Sequence, residues 1–169
     1  MSSKNGNRES TISGKPGKEL AISIMERIKR VIERMNVAND EIIKVSRLTN
    51  IREIVFNIKI EYDNIISMIE DTIQSDSIDI ASPEEYMKGT RAIDHLLQNI
   101  PEPDPNDLKS VLLNAVKENK ELQHILSLMA SEYNVKSVNR VVGSILEHLD
   151  SARNKLETLY EDLINRDYW

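Results

Sequence analysis

A long stretch without glycine or proline, from residue 18 to residue 82, constrains the fold most strongly. Both residue types interrupt helices, so their absence over this length indicates α-helix. Apolar residues in the stretch recur at alternating steps of three and four, the spacing of a heptad seam along one helix face. The seam consists of two runs, Ile24, Ile28, Val31, Met35, Ala38, Ile42 and Val45, then Leu48, Ile51, Val55, Ile58, Tyr62, Ile65 and Ile69. The pattern predicts helix that packs its apolar stripe against other helices.

The two runs meet at residues 46–50, where a step of three replaces the expected step of four. An insertion of this kind overwinds or breaks a seam, and the sequence at the junction has weak helix propensity. Either one helix of about 80 Å spans residues 19–73, at ~1.5 Å per residue, or two helices meet at a bend. We predict the bend, and Asn50 and Glu53 resemble the capping pair of the second helix.

The rest of the chain contains start and stop signals for three further helices. Ser82 and Pro83 favour a helix start, because serine caps free N–H groups and proline needs no hydrogen bond at the first position. Pro101 ends that helix. Asp104 and the proline after it start the next helix, and a turn near Asn134 separates it from the last.

We therefore predict an all-α fold, a bundle of four or five antiparallel helices with coiled-coil-like heptad seams, either compact or elongated. Residues 18–169 form the helical bundle domain. Residues 1–17, which are rich in Ser, Asn, Gly and Lys, form a disordered polar tail. Gly143 interrupts the last helix, and two interpretations stay open: another backbone approaches closely there, or the glycine is a simple weak point.

Composition and charge exclude several function classes. The net charge is -6 although the first 18 residues carry four basic residues against one acidic residue, so the body is strongly acidic. We therefore predict no nucleic-acid partner, since such binding depends on Lys and Arg replacing counterions. The absence of cysteine excludes disulfide scaffolds and thiolate zinc sites. No apolar run approaches the ~20 residues of a membrane span, so we predict no membrane partner and an intracellular, cytoplasmic location.

Candidate catalytic and metal-ligating residues are few. Glu121 and His124 match the Glu-x-x-His element of di-metal helical bundles. That site needs a second such element, which the sequence lacks, and Leu122 takes the core position, so the pair should face solvent. His95 and His148 have no nucleophile in a catalytic pattern nearby, and we interpret them as surface residues. We predict no catalytic residue, no metal, no cofactor and no small-molecule substrate.

The seam carries more apolar surface than we expect the shorter C-terminal helices to cover, and such an excess usually marks an interface. We predict a non-enzymatic scaffold, adaptor or assembly subunit that binds a protein partner or forms a homo-oligomer through apolar helix faces. The alternative is a regulator that sequesters a partner helix in a groove of a monomeric bundle. The candidate interface consists of Ile51, Val55, Ile58, Tyr62, Ile65, Ile69 and Asn119.

Asn119 is the informative polar residue of this set, because it falls on an a position of the fourth predicted helix. A buried Asn at such a position costs stability but fixes register and partner number, since only a polar partner satisfies its amide. The other interpretation is that the helix is rotated slightly and the side chain lies at the edge of the seam.

Overall fold

A computed structural model describes residues 16–75, 78–102, 104, 106–133 and 135–165, without the side chain of residue 137. The described residues form five α-helices and no strand, so the predicted helical bundle is confirmed at that level. The helices are α1 (Pro16–Val45), α2 (Thr49–Gln74), α3 (Pro83–Asn99), α4 (Leu108–Ser131) and α5 (Asn139–Asn165), and a short 3-10 helix (Lys136–Val138) precedes α5.

The boundaries of α1 and α2 answer two of the sequence predictions. The predicted bend is confirmed, because α1 ends at Val45 and α2 begins at Thr49. The capping pair is not formed: the N-cap is Leu48, which makes no side-chain cap hydrogen bond, and Asn50 lies inside the helix. At the other end, α1 begins at Pro16, two residues before the predicted domain boundary. Residues 1–15 of the predicted tail lie outside the described residues.

Local capping fixes the starts of α3 and α4. The Ser82 hydroxyl accepts a hydrogen bond from the Glu85 backbone N–H at 3.1 Å, as the start signal predicted. Helix α4 begins later than predicted, since Asp107 is its N-cap and accepts from the Ser110 backbone N–H at 3.2 Å. A carboxylate at this position accepts a hydrogen bond from a backbone N–H that has no partner within the helix, and its negative charge is attracted to the positive end of the helix dipole.

Four helices form a closed ring, in which α1 packs on α2, α2 on α5, α5 on α4 and α4 on α1. Helix α3 packs against α1 and α4. It runs in the same direction as α1, because Gly17 accepts from Ala81 while the later Arg27 contacts the later Asp94, so the predicted antiparallel packing does not hold for this pair. Every residue of the two predicted seam runs is buried except Val45 and Leu48, which are exposed because they flank the bend. The core therefore contains the apolar stripes of α1 and α2, covered by the chain's own helices.

Polar contacts connect α1 and α2 along their length. Lys59 Nζ lies 2.6 Å from an Asp40 carboxylate oxygen, and Asn36 donates to Asp63 at 3.0 Å. The Lys59–Asp40 ion pair is partly exposed, and exposed pairs stabilise a fold by about 0–1 kcal/mol. The Asn36–Asp63 contact is a hydrogen bond from a buried amide.

Two helical glycines have different surroundings. A Cβ at Gly89 would lie 3.2 Å from Met129 Cε, so the glycine allows α3 to approach α4 closely. A Cβ at Gly143 would have no atom of the described chain within 4 Å. The close-approach interpretation of Gly143 is therefore wrong, and the glycine is a weak point of α5.

Candidate functional site

The structure places all seven residues of the predicted interface in the core of the single chain. Tyr62 and Ile51 are each 2 % exposed, and the other five are fully buried. Their neighbours are the chain's own helices, because α2 packs on α1 and α5. A partner chain could reach these residues only after the bundle opened, so a surface for a partner has to be sought elsewhere.

Asn119 is fully buried on α4, so the interpretation that places it at the seam edge is wrong. Its amide N–H group donates to the Tyr62 hydroxyl and to the Leu149 carbonyl, each at 3.0 Å. Its carbonyl oxygen accepts from the Gln123 amide at 2.6 Å. These partners satisfy the amide within one chain, and they come from α2, α4 and α5. The polar group therefore sets the register between the chain's own helices.

A polar cluster joins α2 to α5 around the Glu61 carboxylate. One oxygen lies 2.6 Å from Nδ1 of His148, and the other accepts from Ser151 Oγ at 3.0 Å and from Lys155 Nζ at 3.1 Å. Partial burial by itself would raise the pKa of Glu61, but the hydrogen bonds from its α5 partners outweigh this effect and lower the pKa. The carboxylate is therefore held in its charged form.

The arrangement in this cluster differs from that of a nucleophile activated by a base. In a hydrolase triad the histidine accepts the proton of the serine, whereas here Ser151 and His148 both bind Glu61. The cluster is suited to clamping α2 against α5.

The Glu121 and His124 side chains point away from the core as predicted, since both are exposed whereas Leu122 is buried. Among the described residues, no group of three or more His, Cys, Asp or Glu could hold a metal ion.

Glu118 is an acidic residue buried beside the core of α4, with only 7 % of its surface exposed. Burial is the main reason that its pKa rises to about 7; Glu121 adds to the rise, and Arg34 opposes it. Arg34 also lines the small recess next to it, of about 20 Å³. The residue changes charge near neutral pH, but the recess leaves no room for a ligand larger than one water molecule.

A wide groove follows the outer face of α3. We call it the α3 groove; its volume is about 780 Å³. The lining residues are Pro83, Glu84, Met87, Lys88, Arg91, Ala92 and His95 of α3, with Tyr133 after α4. Met87 is 62 % exposed, which is the highest value among the large apolar residues described. A methionine thioether beside an aromatic ring forms an adaptable apolar surface.

Basic residues outnumber acidic ones at the α3 groove, although the chain as a whole carries a net charge of -6. Lys88 pairs with Glu84 at 2.9 Å. Arg91 makes no ion pair with any residue that the structure describes. The groove is therefore an apolar surface with a weakly positive rim on an acidic protein.

Sequence reasoning missed this site and a second exposed apolar pair, Phe56 and Ile60 on α2. A signal was present, since Met87 lies on the face of α3 opposite the buried Leu96. An apolar residue on the solvent side of an amphipathic helix is a weak sign, because single exposed apolar residues are common. The sequence of α3 does not predict the contribution of Tyr133 to the groove, because Tyr133 follows the end of α4.

Comparison of the sequence with protein-family models found no match, and comparisons with curated proteins and with solved structures found none either. In the described part of the chain, no helix combines the length and the hydropathy that crossing a membrane requires. A function for this chain therefore has to be inferred from the surfaces of the bundle.

Proposed function

We propose that this chain is a non-enzymatic helical interaction module, an adaptor or regulator that binds a helical segment of a partner protein in the α3 groove. We also propose that α1 and α2 run antiparallel. Two pairs support this, because Asp40 contacts Lys59 while the earlier Asn36 contacts the later Asp63. The proposal moves the partner surface from the α2 seam, which the chain covers itself, to the outer face of α3.

The exposed apolar lining of the α3 groove is the observation that carries the proposal. Binding sites are concave and mostly apolar, with a few polar groups that fix orientation. Met87 and Tyr133 supply the apolar surface, and Lys88 and Arg91 supply the polar rim. A partner side chain that covers Met87 removes apolar area from water, which contributes roughly 25 cal/mol per Å².

The rim charges define the chemistry of the partner. An amphipathic helix with apolar side chains toward Met87 and acidic side chains toward Arg91 complements the groove. The groove follows α3 from Glu84 to His95, which corresponds to about 16 Å at ~1.5 Å per residue. A partner segment of three helical turns covers this length.

Two synthetic amphipathic peptides of about 15 residues test the proposal. Both carry leucine on one helical face; the polar face carries glutamate in one peptide and lysine in the other. We expect the acidic peptide to shift the backbone amide resonances of α3 and Tyr133 in ¹⁵N-labelled protein. The basic peptide should bind at least tenfold more weakly, because it meets Lys88 and Arg91.

Two variants and a matched control locate the binding. Met87→Ala and Arg91→Glu should each weaken the acidic peptide by about tenfold, which corresponds to ~1.4 kcal/mol. Leu113→Ala, which truncates an exposed apolar residue of α4, should leave binding unchanged. Equal binding of both peptides, or an equal loss in the Leu113→Ala variant, would refute the proposal.

A further inference from the structure

The end of α5 carries an exposed apolar residue between acidic ones. Ile164 is 37 % exposed, whereas its neighbour Leu163 is buried in the core. Glu161 precedes Ile164 by three positions, Asp167 follows it by three and Tyr168 follows it by four. Residues at these spacings share one face of a helix, so a helical segment here has an apolar stripe of Ile164 and Tyr168 with a carboxylate on either side. Asp167 and Tyr168 lie outside the described residues.

The charge around this stripe is negative. We call residues 157–169 the acidic segment; it contains four acidic residues and one basic residue, Arg166. At about 100° per residue, Arg166 lies on the side of the helix opposite the stripe. Among the large exposed apolar residues in the described helices, only Ile164 has acidic residues three or four positions away on both sides and no basic residue at those spacings.

The acidic segment has the chemistry that the α3 groove requires of a partner. The groove presents Met87 and Tyr133 as apolar surface, with Lys88 and Arg91 on its rim. An apolar stripe with carboxylates on either side complements both features, because opposite charges meet at the rim while apolar groups meet between them. The stripe and its two carboxylates span about 9 Å of helix, which fits within the ~16 Å that the groove follows along α3.

The acidic segment cannot reach the groove of its own chain. Asn119 of α4 contacts Leu149 of α5, and the short connection over residues 132–138 makes α5 run back along α4. Tyr133 lies about 21 Å beyond Asn119 in one direction, and Asn165 lies about 24 Å beyond Leu149 in the other, at ~1.5 Å per residue. The four residues after Asn165 span at most about 14 Å. They cannot cover this separation, so a segment that occupies the groove comes from another copy.

We propose that the partner segment of the α3 groove is the acidic segment of a second copy of this chain, so that copies associate head to tail. The inference rests on the proposed function, because it uses the same groove. Ile164 and Tyr168 cover Met87, and Glu161 and Asp167 face the basic rim. The contact joins two different surfaces, so each complex still has one free groove and one free segment, and association continues until a ring closes.

The size of the contact sets its strength. Leu163 stays in the core while Ile164 points about 100° away from it, so the segment can bind a second copy without leaving its own bundle. One apolar stripe with two carboxylates belongs to the small class of interfaces, below about 1,200 Å² of total buried area, in which association is weak. We therefore expect association that reverses on dilution and weakens as salt screens the charges.

Sedimentation equilibrium of the full chain, from about 10 µM to about 1 mM, tests the inference with two complementary variants. The average mass of the wild type should rise over this range. Arg91→Glu damages the groove and Tyr168→Asp damages the segment, so each variant alone should associate at least tenfold more weakly. An equal mixture of the two should form a one-to-one complex with the affinity of the wild type, because the intact segment of one variant enters the intact groove of the other.

Leu113→Asp, a matched change at an exposed residue of α4, should associate as the wild type does, and circular dichroism should show the same helix content in every variant. A wild type that stays monomeric at the highest concentration, a mixture no tighter than the single variants, or an equal loss in Leu113→Asp would overturn the inference. The synthetic peptides separate this failure from that of the proposed function. If the glutamate peptide binds α3 while the full chain stays monomeric, only the head-to-tail inference fails; if neither associates, both fail.

Discussion

Replacing Glu118 by glutamine should stabilise the protein at alkaline pH and leave its stability unchanged at acidic pH. The folded chain raises the pKa of this carboxyl to about 7 because burial penalises the charged form. In the unfolded chain the pKa returns to its ordinary value of 4.5. Between these values the unfolded state loses the proton while the folded state keeps it. The free energy of unfolding of the wild type therefore falls as pH rises through this window.

The two pKa values set the magnitude of the effect. The window from 4.5 to about 7 spans about 2.5 pH units. Each pH unit between the folded and unfolded pKa values corresponds to about 1.36 kcal/mol, so the charged carboxylate costs the fold at most roughly 3–3.5 kcal/mol above pH 7. Glutamine has the shape of the protonated acid and carries no charge at any pH. The variant should match the wild type near pH 4 and exceed its stability by about 2–3 kcal/mol at pH 8.

Urea denaturation at several pH values, followed by circular dichroism, measures this difference directly. Glu147→Gln on the exposed side of α5 is the matched control, and it should change the free energy of unfolding by less than about 0.5 kcal/mol at every pH. A Glu118→Gln variant that gains no stability between pH 4 and pH 8 would show that the carboxylate is solvated in the fold.

Three further results follow from the packing. Changing both Ile58 and Ile65 to Asp should unfold the chain and not merely dissociate it, because two buried carboxylates cost several kcal/mol each. Loss of the helical circular dichroism signal measures this. A variant that stays folded would contradict the burial of these two residues in the core. Glu61→Gln should reduce stability at neutral pH by about 1–2 kcal/mol, and the difference should shrink as pH falls below about 4.5, because the lowered pKa of Glu61 gives a stabilisation that is lost on protonation. Gly143→Ala should raise the free energy of unfolding by about 0.5–1 kcal/mol. Gly89→Ala should give a smaller gain or a loss, because the added methyl group would meet the Met129 side chain on α4. Equal gains in the two variants would contradict the difference in their surroundings.

The sequence predicted the helices well because their ends depend on local chemistry. Ser82 accepts from an N–H three residues away, and Pro101 prevents the helix from continuing wherever it lies in the fold. The bend near residue 46 was likewise visible as a change in apolar spacing. The exact starts were less certain: Asp107 caps α4, whereas the Asp104 carboxylate accepts from the Asn106 backbone N–H in the turn before it.

The sequence by itself determined which face of each helix is buried, because the alternation of three and four residues is a property of one helix. Only the tertiary structure decided what covers them. The seam of α2 meets α1 and α5, and Asn119 finds its partners on α2 and α5, so a stripe that predicted an interface became the interior of one chain. The exposed apolar side chains of Met87 and Phe56 lie on the outer faces of α3 and α2. Their exposure depends on which neighbours those helices lack, and the spacing of residues along a single helix contains no information about its neighbours.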